Sequence, residues 1–284
     1  MKLGACTILY LDYTTLEETM RRFAKLGYQG VDIWADSPHL DPLADHGGDR
    51  AATKKLASDL GLEINALAVN GGSLARRYNF AHAHEWVRQE TTDYYFKCID
   101  LAAEVGCPML NLISGAMVYP TTKQLAWQWQ VDCVGKVCEH ARKAGVTVAL
   151  HTAPPGVSRV LTFLDDALLL HAQIDSPVCK IMIDMASQYL TETNMCDSVR
   201  RVAEHLVYVH LCDTHPDGSP GHQPLGTGVI DFPMLVRTLK EVGYDGYLTV
   251  QLDPNATPID PDAWLSNSYD YIKLVMQEHD VWEG

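Results

Sequence analysis

Four side chains able to hold a metal ion or move a proton stand at or near the ends of short apolar runs. His151 closes "VTVALH" and Asp184 closes "KIMID", while His210 and Gln251 each sit one residue before the end of "LVYVHL" and "YLTVQL". Imidazole nitrogens and a carboxylate oxygen are ordinary ligands for Mn, Fe, Co, Ni or Zn, and an amide oxygen is a weaker, neutral one. One histidine at a strand end is more often a hydrogen-bonded structural residue than a ligand. Four such groups at corresponding places in successive runs point instead to one shared divalent-metal site.

The elements that must position them alternate. Eight apolar runs occupy residues 3–8, 30–34, 62–69, 108–114, 146–151, 180–184, 206–211 and 247–252. Most are rich in Val, Ile and Leu and bounded by Gly, Pro or polar clusters, as parallel strands buried on both faces should be. Helical periodicity fills the gaps. Leu16, Met20, Phe23 and Ala24 share one face, Thr14 or Thr15 with Glu17 or Glu18 supplies a capping box, and Gly27 stops the helix. Asp231 as N-cap, Pro233 in the first turn, inward Leu235, Leu239 and Val242, and Gly243 at the C-cap repeat the logic.

Eight β-then-α units in 284 residues predict an α/β fold, a (β/α)8 TIM barrel forming a single domain over 1–284. No G-x-G-x-x-G, Walker A or G-x-S-x-G pattern supports a doubly wound alternative. In a barrel the C-terminal strand ends surround one mouth, which would bring His151, Asp184, His210 and Gln251 together. An insert at about 212–230, carrying Asp213, His215 and His222, follows the seventh strand and is expected to serve that mouth.

Further candidates are Asp32, Trp34 and His39 in "VDIWADSPH" and the "NGGS" after strand three. Trp34 and His39 suit a sugar, because an aromatic face packs on C–H groups and an imidazole bonds a hydroxyl. A core Trp and a solvated loop His are the structural alternatives, equally weighted. His82 and His84 are expected at an exposed helix start, with little functional weight.

A net charge of -14 argues against nucleic acid, whose affinity comes mostly from Lys and Arg replacing counterions. No apolar run approaches the roughly 18 residues of a membrane span, and "MKLGACTILYLDY" turns polar too soon for a signal peptide, so a cytoplasmic protein with a small-molecule partner is expected. The eight cysteines include no C-x-x-C pair, predicting reduced, mostly buried thiols rather than a cysteine zinc site.

Over nearly its whole length the chain resembles the sugar isomerase/epimerase-like, or xylose isomerase-like, TIM barrels, which include ketose 3-epimerases, fructoselysine 3-epimerase, inosose dehydratase and, more distantly, endonuclease IV. The resemblance rests on "LGYQGVDIWADSPH", "VTVALH", "MIDMA", "VHLCDTHPDGSPGHQPLGTGVIDF" and "GYDGYLTVQL". It implies a metal set of Glu, Asp, His and Glu at the ends of strands five to eight. By position these fall on His151, Asp184, His210 and Gln251, so both outer glutamates, which move the proton in the epimerases, are replaced.

With one carboxylate instead of three, the site would be more positive, and its metal a stronger Lewis acid. His151, Asp184 and His210 also form a two-histidine, one-carboxylate set of the kind that holds iron(II). The expected base becomes a metal-bound hydroxide or a loop residue: His222 first, since it matches a loop histidine of the fructoselysine epimerase relatives, then Asp213. The expected activity is divalent-metal-dependent isomerisation or epimerisation of a ketose or keto-sugar derivative through an enediolate. The alternatives are a lyase or dehydratase, and a non-catalytic sugar-binding or partner-subunit barrel. Homodimers or homotetramers are common among the relatives.

Overall fold

Each of the eight apolar runs forms a strand. The computed structural model describes residues 1–44, 49–69, 77–218, 221–253 and 260–283. The strands are β1 (Lys2–Cys6), β2 (Gly30–Trp34), β3 (Glu63–Ala68), β4 (Met109–Leu112), β5 (Thr147–His151), β6 (Cys179–Asp184), β7 (Leu206–Leu211) and β8 (Tyr247–Val250). All pair in parallel, and β8 returns to β1, closing the predicted (β/α)8 barrel.

Nine α-helices appear among the described residues: α1 (Leu16–Leu26), α2 (Arg50–Asp59), α3 (Glu85–Val105), α4 (Lys123–Ala144), α5 (Leu164–Ile174), α6 (Met185–Thr191), α7 (Met195–Val202), α8 (Phe232–Glu241) and α9 (Pro261–Glu278). Thr15 caps α1 by accepting from the Glu18 amide, and Gly27 ends it at a φ of 96°. Asp231 caps α8 through the Met234 amide. Residue 242 is the C-cap of α8, so Gly243 stands one place beyond it at a φ of 75°. Where the repeat predicts one helix per strand, two short helices follow β6, with the first beginning directly from the strand-end aspartate.

Alternation along the strands explains where polar groups collect. Residues two apart face the same side, and Ala149, Met182 and Tyr208 pack together inside the barrel. The next inward position on each of those strands is His151, Asp184 and His210, and Thr249 leads in the same way to Gln251. An apolar floor thus carries a polar layer at the C-terminal rim. Seven of the eight cysteines are buried and all are free thiols. No described helix is long and apolar enough to cross a membrane.

Candidate functional site

A cavity of about 290 Å³ opens over this polar layer, lined among others by Trp34, Asn111, His151, Ser187, His222 and Gln251. Asp184, fully buried, is bonded to two of these lining residues, Ser187 and His222. One carboxylate oxygen, Oδ1, accepts from the Ser187 amide, since Asp184 is also the N-cap of α6. The other, Oδ2, accepts from His222 Nε2 at 3.1 Å and faces His210 Nδ1 at 3.8 Å. Burial opposes charge on Asp184, but His222, His151 and His210 together hold its carboxyl well below the usual carboxylate range.

His210 is oriented from behind. Its Nε2–H donates to Asp32 Oδ2 at 2.8 Å, so in the neutral ring Nδ1 carries the lone pair on the Asp184 side. A carboxylate behind a histidine whose other nitrogen is free is the support that ligand histidines ordinarily receive. Of the eleven buried side-chain polar atoms without a hydrogen-bond partner among the described residues, three belong to this layer: His210 Nδ1, Gln251 Oε1 and His151 Nε2. Buried polar atoms are seldom left in this way. Asp184 and His210, whose Oδ2 and Nδ1 face each other at 3.8 Å, therefore fit a divalent cation, and Gln251 Oε1 has no other partner to satisfy.

The tightest cluster differs from the four-residue expectation. Donor atoms of Asp184, Cys212 and His222 all lie within 4.8 Å of one another. Cys212 Sγ accepts from the Ala186 amide at 3.3 Å, and burial together with the Asp184 charge pushes its thiol up, keeping it neutral. Burial works against a charge on His222 as well, yet the ionised Asp184 carboxylate beside it raises its imidazole well above the ordinary value. His151 goes the other way: burial, opposed by Asp184, pushes it down to about 4.

His222 reaches the cavity from the insert at a backbone φ of 59°, a left-handed conformation uncommon for a residue with a side chain. Its carbonyl accepts from the Asp253 amide at 3.1 Å, and the loop is pinned further by Asp213. Asp213 is a correction to the expected base. It is fully buried, with Oδ1 accepting from the Thr214 and Ile230 amides and Oδ2 from those of Gly226 and Gly228. Four backbone donors occupy the carboxylate, and it does not line the cavity.

His39 is the second correction. It is buried away from the cavity, its Nε2–H donating to the Thr14 carbonyl at 3.0 Å, so it joins two segments instead of meeting a sugar. Trp34 does line the cavity. His215 is exposed and His84 caps α3. "NGGS" at 70–73 lies outside the described residues, as do 219–220 of the insert.

Sequence reasoning passed over Asn111, Ser187 and Cys212 and gave Asp32 no role. The signal available for Asn111 was one amide inside the apolar run "PMLNLIS".

The xylose isomerase-like TIM barrel family model matches residues 20–273. The fructoselysine 3-epimerase of Shigella flexneri is 26% identical over 238 residues, covering 84% of this chain and 85% of that protein. The L-ribulose-5-phosphate 3-epimerase UlaE of Escherichia coli is 23% identical over 269 residues, covering 94% and 92%. Among solved structures, an L-ribulose 3-epimerase superposes with a TM-score of 0.85 at 20% identity, covering 98% of this chain and 95% of its own. With 254 of its 284 residues inside the matched range, the chain belongs to the xylose isomerase-like TIM barrel family.

Proposed function

We propose that the protein is a divalent-metal-dependent isomerase or epimerase acting on a ketose or keto-sugar derivative. The observation that carries this reading is the partnerless, buried His210 Nδ1 facing the Asp184 carboxylate at 3.8 Å, with a second partnerless donor, Gln251 Oε1, on a residue that lines the adjoining sugar-sized cavity. Asp184, His210 and Gln251 would hold the ion. When bound, it supplies Lewis acidity toward a carbonyl and a neighbouring hydroxyl.

The chain's own residues supply the rest. Trp34 offers an aromatic wall on which the C–H face of a sugar packs. His222, whose Nε2–H is held by Asp184, takes the proton next to the carbonyl on Nδ1 and returns it, with Asp184 stabilising the imidazolium. The ring is neutral before the transfer, because a cation held by Asp184 offsets that carboxylate's charge. The Asp213 clasp fixes the loop from which His222 projects. A single base on one face suffices for proton transfer between neighbouring carbons, whereas epimerisation requires a second proton carrier on the opposite face.

The test is solvent deuterium incorporation into a panel of ketoses and keto-sugars by metal-loaded protein, with the labelled carbon located by NMR. Exchange next to the carbonyl is the expected result. Metal uptake without exchange on any member would refute the enediolate reading, and no metal uptake would favour a binding-only barrel.

A further inference from the structure

The two histidines of the polar layer are backed by opposite chemistry. His210 has the Asp32 carboxylate behind it, an acceptor, which leaves a lone pair toward Asp184. His151 has Asn111 behind it, and the orientation of that amide is settled by a third group. The Val69 backbone N–H donates to Asn111 Oδ1 at 2.5 Å, and a backbone N–H can only donate, so the oxygen of the amide must lie on that side. Asn111 Nδ2 is then the atom 3.3 Å from His151 Nδ1.

An amide NH2 has no acceptor to offer. His151 Nδ1 must therefore carry the lone pair, and the ring hydrogen sits on Nε2, the buried atom with no partner that belongs to a cavity-lining residue. Turning the amide over would set two donors against each other at Val69. An N–H cannot ligate a metal.

We propose that His151 is not a metal ligand but a neutral hydrogen-bond donor to a substrate oxygen, held in the Nε2–H tautomer by the Val69–Asn111 relay. The donor role rests on the cavity receiving a carbonyl-bearing sugar, as proposed above; the tautomer does not. Where a glutamate would accept or move a proton, this chain presents an N–H to oxygen on which negative charge develops, and Asn111 is its positioning residue.

The decisive measurement is long-range 1H–15N correlation NMR of the histidine rings in the full chain, assigned with a His151→Leu variant. Metal-free protein is expected to show His151 as the Nε2–H tautomer. Zn(II) is expected to move the His210 Nδ1 resonance and leave the His151 pattern in place. A Zn-coordinated Nε2 on His151, or an Nδ1–H tautomer in metal-free protein, would overturn the proposal. His151→Leu is expected to keep its Zn(II) affinity within about threefold of the parent, and a loss of about tenfold or more would also overturn it.

Asn111→Asp keeps an acceptor for the Val69 amide and adds one for His151. Its expected effect is a reversal to Nδ1–H, with Zn(II) binding about tenfold tighter through the bared nitrogen; an unchanged tautomer contradicts the relay. On the ketose that exchanges deuterium, saturation should shift the His151 Nε2–H proton downfield, and an unmoved proton refutes the donor role. If His210 ignores Zn(II) or no ketose exchanges, the proposed function fails, while the metal-free spectrum still decides the tautomer.

Discussion

Two buried aspartates near the same rim have been put to different uses. Asp184 and Asp213 are both fully buried, one ending β6 and the other two residues beyond β7. Asp213 accepts from four backbone amides and is satisfied within its own loop. Asp184 accepts from one backbone amide, one imidazole and, at 3.9 Å, the Cys212 thiol, and the ring of His210 faces it with a bare nitrogen. Burial alone does not mark a functional carboxylate; the neighbours left without partners do.

The sharpest way to break this contrast is Asp184→Asn. It is expected to abolish metal binding and lower deuterium exchange by about a thousandfold or more, with the fold intact by circular dichroism. Retained metal would place the ion elsewhere and remove the distinction between the two carboxylates. Next in size, His222→Gln should lower exchange about a hundred- to ten-thousandfold while metal content stays level. A parallel loss of metal would make His222 a ligand and move it to the Asp184 side of the comparison.

Asp213→Asn reads the other side. One oxygen becomes an NH2 facing backbone N–H groups, and the expected cost is about 3 kcal/mol of stability by denaturant unfolding, with metal affinity preserved. Unchanged stability together with lost exchange would return Asp213 to the chemistry. The smallest effect is expected from Asp32→Asn, which weakens the support behind His210 and should lower metal affinity about ten- to a hundredfold without a large change in stability. An unaltered affinity would leave His210 as a packing residue.

The barrel was legible because parallel strands buried on both faces leave continuous apolar runs, and the polar layer because it ends or nearly ends those runs. Trp34 and His222 were legible for the same reason: each follows from a strand end or the insert beyond one. Asp213 and His39 were not, because their partners are backbone atoms brought close by loop geometry, which no periodicity in the sequence records. Asn111 was hidden in a different way. Its importance lies in which end of an amide faces a ring, and that depends on the Val69 amide, 42 residues away in the chain.

The clasp around Asp213 also bears on how this barrel could be re-engineered. Its hold on the loop runs through main-chain N–H groups, so it does not depend on the side chains at those positions. The exceptions are Gly226, held at a φ of 80° with an added Cβ 2.9 Å from the Tyr271 ring, and Gly228, where an added Cβ would fall 2.2 Å from the Thr214 carbonyl oxygen and 2.4 Å from Asp213 Oδ1. With Asp213, Gly226 and Gly228 kept, exposed loop positions such as His215 and Thr227 become sites for randomisation. A library built there would vary the outer surface of the insert while the clasp holds its backbone, and His222 with it, in place.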